Sequence, residues 1–291
     1  MTFQSLSSLT QPFAMNPFIR CLSAAALLLA APEALAGDPA PRPPNALLYE
    51  TYAFSGTLNG QPTTVFAPAL SGSMALSERL SLNAAWLFAY APSRAGGPTA
   101  FQAGNPSVGL GGVLYDDGAL KVRTGGNLVL PFTLITDPDD FGTALLRRAA
   151  TLRGNSGFSL VAPGLLGLTP WADVTLRQGR WRFALDGRVP MSAQLSEKRG
   201  QRVDAVFQGS GTASVDLTSH VLLGSTFQAI YVSTAAEGAD PTFLALIPHV
   251  RVYGSAGFVE GRLVMNLDAP LGFAFSDNGL WAAALALGTT F

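Results

Sequence analysis

Residues 181–195 read WRFALDGRVPMSAQL. The odd positions Trp181, Phe183, Leu185, Val189, Met191, Ala193 and Leu195 are apolar, with Gly187 the exception. The even positions are Arg182, Ala184, Asp186, Arg188, Pro190, Ser192 and Gln194. Alternation with period two is the mark of a strand with one apolar and one polar face. The run is more than twice the roughly 5–6 residues of an ordinary strand. It suits a tilted bilayer crossing, which needs about 9–11 residues.

The pattern recurs. Val203, Ala205, Phe207, Ala213, Val215 and Leu217 share one face, against Asp204, Gln208, Ser210, Thr212, Ser214 and Asp216. Val259, Leu263, Met265, Leu267 and Leu271 oppose Glu260, Arg262, Asn266 and Asp268. A soluble sandwich or lipocalin-like barrel alternates too, but with shorter strands and more outer charge. Here charged residues are only 13% of 291, against roughly 25% in ordinary soluble domains, and hydrophobic residues reach 48%. No mature segment offers about 18 consecutive apolar residues, so no transmembrane helix is expected. A net charge of -1 gives no argument for nucleic acid.

Twelve strands are expected, near 46–57, 63–76, 80–91, 106–115, 119–132, 156–177, 181–196, 202–217, 220–234, 242–253, 258–275 and 280–291. Their connections alternate. Ser77–Arg79, Asp116–Gly118, Gln178–Arg180, Thr218–Ser219 and Gly254–Gly257 are short and rich in Gly, Asp and Ser, as hairpin turns require. Leu58–Pro62, Pro92–Asn105, Thr133–Asn155, Glu197–Gln201, Ala235–Pro241 and Ser276–Gly279 are longer or more variable. Short turns at one end and long loops at the other characterise outer-membrane barrels. An even strand count places both termini at the short-turn, periplasmic end. The expected fold is therefore all-β, a closed antiparallel transmembrane β-barrel of about twelve strands over residues 46–291. Hydrocarbon leaves no partner for an open edge, so only a closed sheet spans. The apolar faces then turn to lipid and the charged faces to the lumen. On that reading a charge at Leu185 or Val189 disturbs insertion, whereas one at Ser192 is tolerated.

The amino end fits export. A basic start through Arg20 precedes CLSAAALLLAAPEALA and the Ala34-Leu35-Ala36 cleavage pattern, so residues 1–36 resemble a secretory signal peptide, with translation starting as late as Met15. Residues 37–45 form a Pro-rich periplasmic leader. The single cysteine, Cys21, lies within the signal, which excludes a disulfide-stapled mature scaffold. At the other end Phe291 closes LWAAALALGTTF, with apolar residues at alternate positions before it. This resembles the carboxy-terminal assembly signal of bacterial outer-membrane barrels. It implies the barrel-assembly machinery as a partner, alongside outer-membrane lipid and lipopolysaccharide. The opposite face of this strand (Ala282, Ala284, Ala286, Gly288, Thr290) is small enough to leave lumen space or receive a packed segment.

Residues 104–132, GNPSVGLGGVLYDDGALKVRTGGNLVLPF, combine a Gly-Asn-Pro start, alternating Gly and aliphatic residues, a tight acidic-Gly turn and a Gly-bearing strand ending near Pro. This hairpin resembles the phenol-degradation meta-pathway transporter-like barrels. The resemblance implies passive movement of small, often hydrophobic compounds across a Gram-negative outer membrane. The glycines Gly109, Gly111, Gly112, Gly125 and Gly126 are read as permitting bends, bulges or close packing.

The candidate lumen residues are Lys121, Arg123, Arg182, Asp186, Arg188, Asp204, Asp216, His249, Arg251, Glu260, Arg262 and Asp268, with Asp173 and Arg202 beside them. Their signs mix, and Arg182 and Arg188 lie within a strand's reach of Asp204 and Asp216. A twelve-stranded barrel sits between filled eight-stranded barrels and open porins, so a narrow lumen is expected. In the loop 133–155, Phe141, Leu145, Ala149 and Leu152 share a helical face, and Arg147, Arg148 and Arg153 crowd the polar side. Such a short amphipathic helix suits a gate folded into the mouth, a layer beside anionic lipopolysaccharide, or a packed cap.

Catalysis and cofactors are not expected. His220 reads as a turn residue and His249 as inward-facing; no G-x-S-x-G and no outer-edge Ser–His pair supports a lipid hydrolase. No Cys/His cluster or acidic EF-hand loop supports a metal. The remaining alternative is a structural or surface-interaction barrel without transport.

Overall fold

The computed structural model describes residues 45–58, 61–91, 100–132, 165–194, 203–233, 240–268 and 281–290. Residues 1–44, where a signal peptide and most of a Pro-rich leader are expected, the loop 133–155 with its arginines, and Phe291 lie outside these.

Every strand is antiparallel to its neighbours, and the sheet closes on itself. The strands are β1 (Ala46–Leu58), β2 (Gln61–Ala75), β3 (Leu80–Ala91), β4 (Ala100–Ala103), β5 (Ser107–Asp116), β6 (Leu120–Val129) and β7 (Leu165–Gln178). There follow β8 (Trp181–Arg188), β9 (Met191–Gln194), β10 (Val203–Asp216), β11 (Val221–Val232), β12 (Thr242–Tyr253), β13 (Phe258–Asn266) and β14 (Trp281–Thr290). Sequence neighbours pair in turn, and β14 pairs with β1 from Ala46–Thr290 to Ser55–Trp281. Both described ends of the sheet therefore lie at the short-turn end.

The fourteen segments form twelve staves. β8 and β9 are one stave. Both pair with β7 and β10, and the register runs unchanged across Pro190, from Arg188–Gln208 to Met191–Ala205. Pro190 lacks a donor but still accepts from the Val206 N–H at 2.9 Å. β4 and β5 are also one stave, but its pairing with β3 slips by one residue at Gly104-Asn105-Pro106. Pro106 cannot donate to a ladder. The slip is held by Trp86 Nε1 donating to the Gly104 carbonyl at 2.9 Å and by Gly104 N–H donating to Leu87 at 2.8 Å. The sequence alone puts 100–103 inside the loop Pro92–Asn105, whereas these residues pair with β3. It also predicts a five-residue first loop, Leu58–Pro62, whereas Leu58 pairs directly with Gln61.

The short turns carry the expected chemistry. Asp117 Oδ1 accepts from the Ala119 and Leu120 N–H groups, at 2.9 and 2.6 Å, and Gly118 sits at φ 85°. Gly179 sits at φ 59°. Both are left-handed conformations that cost other residues about 1–2 kcal/mol. Thr218 Oγ1 accepts from the His220 and Val221 N–H groups at 3.1 Å.

The faces are inverted relative to a soluble barrel. Leu185 is 66% exposed, whereas Glu260, on an opposite-facing position, is 2% exposed. Leu47, Leu70, Leu110, Leu128, Leu176, Phe227, Val259 and Leu287 are exposed around the outer wall. Aromatic groups flank this belt: Trp181 stacks on Phe183 at the short-turn end (6.2 Å between centroids). At the long-loop end Phe88 stacks on Phe101, and Phe66–Tyr90, Trp86–Phe88 and Phe207–Tyr231 meet at tilted angles. An apolar belt between aromatic girdles is the outer surface of a membrane-spanning barrel.

Candidate functional site: the charged lumen

Inward positions divide into two zones. Towards the long-loop end they are apolar and buried: Val65, Ala67, Leu87, Ala89, Val129, Val206, Ile230 and Val264, with the fully buried Asn105 among them. The alternation is silent there, because both faces of those stretches are apolar. Ser192 faces inward near this zone and is only 4% exposed, so a charge placed there is not hydrated. That overturns its expected tolerance. Met191, on the outward parity, is buried as well.

The middle of the barrel is polar and open. Three spaces of about 550, 440 and 360 Å³ lie inside it, and Arg188 lines all three. Arg123 lines the two smaller ones, and Asp186, His249, Arg251, Glu260 and Arg262 line the largest or its neighbour. Glu50 and Tyr52 join them. These two escaped the sequence reading because Tyr49-Glu50-Thr51-Tyr52 is polar or amphipathic at every position. The signal available was Glu50 itself, the one charged residue of the strand.

Glu260 is the centre of the densest cluster. Its Oε2 accepts from Arg251 Nε at 2.6 Å and its Oε1 from Arg262 Nε. Arg262 Nη1 also donates to Glu50 Oε2 and the Tyr52 hydroxyl, both at 3.1 Å. This reach crosses a whole strand. Glu260 and Glu50 both stand opposite Ala286 on β14, and Arg262 and Tyr52 both stand opposite Ala284. The small inward face of the last strand makes room for a guanidinium that bridges β13 to β1 over the closing seam.

Elsewhere Arg123 Nε donates to Asp173 Oδ1 at 3.0 Å, and Arg182 takes Asp216 through two nitrogens. Arg188 does not reach Asp216; it pairs with Asp186 on its own strand at 3.0 Å. Lys121 pairs with Asp116 at 2.8 Å, near the short-turn rim. Asp268 accepts from the Leu244 N–H at 3.0 Å and so ties β12 to the end of β13. Asp204 stands opposite Ser192 in register, and Arg202 lies outside the described residues.

Glycines shape this wall. A Cβ at Gly111 or Gly125 would come within 2.9 or 2.5 Å of the Trp171 indole, and one at Gly224 within 2.5 Å of His249 Nε2. The rings lie against the wall because those positions have no side chain. The Ser219–His220 contact (2.8 Å) sits in an exposed turn at the short-turn end, where the His220 carbonyl accepts from the Tyr253 N–H. Among the described residues no group of His, Cys, Asp and Glu is arranged to hold a metal.

No protein-family model and no curated sequence matches the chain. Solved structures do. An outer-membrane channel from Pseudomonas putida F1 superposes with a TM-score of 0.58 at 12% identity, over 89% of this chain and 100% of that one. The NanC porin gives 0.53 at 9% identity, over 84% and 98%. The KdgM porin, in complex with disordered oligogalacturonate, gives 0.51 at 8% identity, over 84% and 99%. The likeness is one of fold: a closed twelve-stranded barrel of the outer-membrane type.

Proposed function

We propose that this chain is a channel of the bacterial outer membrane, through which small molecules pass passively. The observation that carries the reading is the open, charged interior: three adjoining spaces meeting at Arg188 inside a wall whose outside is apolar. A barrel serving only as an anchor can fill its bore with packed, paired side chains, whereas here spaces of about 360–550 Å³ lie beside the charges. The short turns then face the periplasm and the long loops the exterior, with lipid and lipopolysaccharide around the belt. The resemblance of residues 104–132 to the phenol-degradation meta-pathway transporter-like barrels supports small, often hydrophobic solutes.

The test is reconstitution. Protein refolded in detergent, and shown to be folded by heat-modifiable gel mobility, should conduct ions across planar bilayers and admit small solutes in liposome swelling. Folded protein with neither activity would sink the channel reading and leave the structural barrel in its place.

A further inference from the structure

Counting charges makes the middle of the lumen neutral: Arg123, Arg188, Arg251 and Arg262 face Glu50, Asp173, Asp186 and Glu260. Exposure does not. In every ion pair among the described residues the carboxylate is the more buried partner. The side chains of Asp186, Asp173 and Glu260 are 19, 11 and 3% exposed, against 50, 48 and 30% for Arg188, Arg123 and Arg251. The cause is geometric. A short carboxylate lies against the wall, while an arginine carries its head out on a long stem into water. Glu260, moreover, has both oxygens occupied by guanidinium donors, so it has little to offer a passing cation. By contrast, Arg188 and Arg123 meet their carboxylates through Nε, and a guanidinium carries four further N–H donors on its two Nη atoms.

From this burial asymmetry we infer that the channel is selective for anions, with Arg188 as the principal selectivity residue. The inference rests on the channel reading above and narrows it: among small solutes, those with an apolar body included, the lumen favours the ones that carry a negative charge, inorganic or carboxylate. Arg188 stands out because it borders all three inner spaces and is the most exposed of the four lumen arginines. Guanidinium donors suit carboxylate and phosphate oxygens in particular.

The measurement is the reversal potential of the reconstituted channel in a tenfold KCl gradient. The wild type should reverse towards the chloride equilibrium potential, with chloride passing at least about threefold faster than potassium. The double variant Asp186→Asn/Arg188→Gln separates exposure from charge counting, since it removes one charge of each sign. Exposure predicts that most of the chloride preference is lost; charge counting predicts none is. Arg188→Glu should reverse the preference, and heat-modifiable mobility checks that each variant is folded. Should a variant not fold, chloride flux through the wild type in the presence of competing acetate or phosphate gives a second readout, with inhibition expected. A wild type that conducts but prefers potassium, or prefers neither ion, overturns anion selectivity and leaves the channel intact. Absence of conductance overturns the channel itself.

Discussion

Leu185→Arg tests the inversion of faces at one atom-level site. Leu185 lies mid-way along β8, on the outer wall, and is the most exposed of the large apolar residues on the strand staves. It is four residues beyond Trp181, which belongs to the short-turn girdle. At about 3.3 Å per residue and a tilt near 40°, that places it about 10 Å above the girdle. The apolar band is about 25 Å tall, so Leu185 sits within a few ångströms of the midplane. An arginine on the lipid face costs about 2–4 kcal/mol there, falling towards zero at the interfaces. A loss of about 2–3 kcal/mol, or about 30- to 150-fold in the folding equilibrium, is therefore expected. The control is Ser210→Arg. Ser210 stands opposite Asp186 in register and lines the same inner space, so its new cation meets water and a carboxylate. It should change stability by less than about 0.5 kcal/mol. Urea titration in lipid vesicles, followed by tryptophan fluorescence and gel mobility, reads both. If Ser210→Arg is as costly as Leu185→Arg, or Leu185→Arg is silent, the assignment of outside and inside is wrong.

Two further outcomes follow from the wall and its turns. Gly111→Val should destabilise the barrel by about 1–3 kcal/mol, because its side chain meets the Trp171 indole and Asn83; in a Trp171→Ala background the cost should shrink, and an undiminished cost in the urea midpoint argues against that contact. Asp117 predicts a pH dependence: the Leu120 backbone N–H, then the Tyr115 hydroxyl, hold its carboxyl below the usual range. A folded value below the unfolded one, near 3.9, stabilises fully above that pH and ceases to do so as pH falls through the folded value. The stability gap between wild type and Asp117→Ala should therefore narrow on acidification from about pH 6 to about pH 2; a gap that widens refutes the sign.

What the sequence disclosed followed from the solvent on each side of the wall. Between lipid and water a strand must alternate, so Trp181, Phe183 and Leu185 could be assigned outward and Arg182 and Asp186 inward. Turn chemistry likewise marked Asp116–Gly118 and Gln178–Arg180 as tight hairpins, and the strands break within a residue of those bounds. The period fails where both faces are apolar, as at Val65–Ala69 and Leu87–Ala89, so the buried upper zone left no trace in the pattern. Ser192 looked hydrated for the same reason: polarity reports parity and not depth. The slip at Gly104–Pro106 was also hidden. A proline after an asparagine reads equally well as a loop end or as a bulge within a strand, and only the pairing of Ala100–Ala103 with β3 decides. Pairing was the third hidden quantity. Arg188 was placed near Asp204 or Asp216 by strand adjacency, yet a long side chain can fold back along its own strand to a carboxylate two residues away.

That last point divides the lumen arginines by task. Arg262 is 21% exposed and holds Glu260, Glu50 and Tyr52 at once, across the strand that closes the barrel. Its Nε and Nη1 donors are committed to the seam, and removing it would strand the buried Glu260 with one partner fewer, a destabilising change. Arg188 has its carboxylate on the same strand, contributes nothing across a seam through that bond, and borders open space on three sides. A charge retained for stability is expected to be bridged between strands and withdrawn from water. One that is tethered locally and exposed to the bore is the charge that a permeating solute meets. The same residue type thus closes the barrel on one side and selects its traffic on the other, and the two roles separate by partner geometry rather than by sequence.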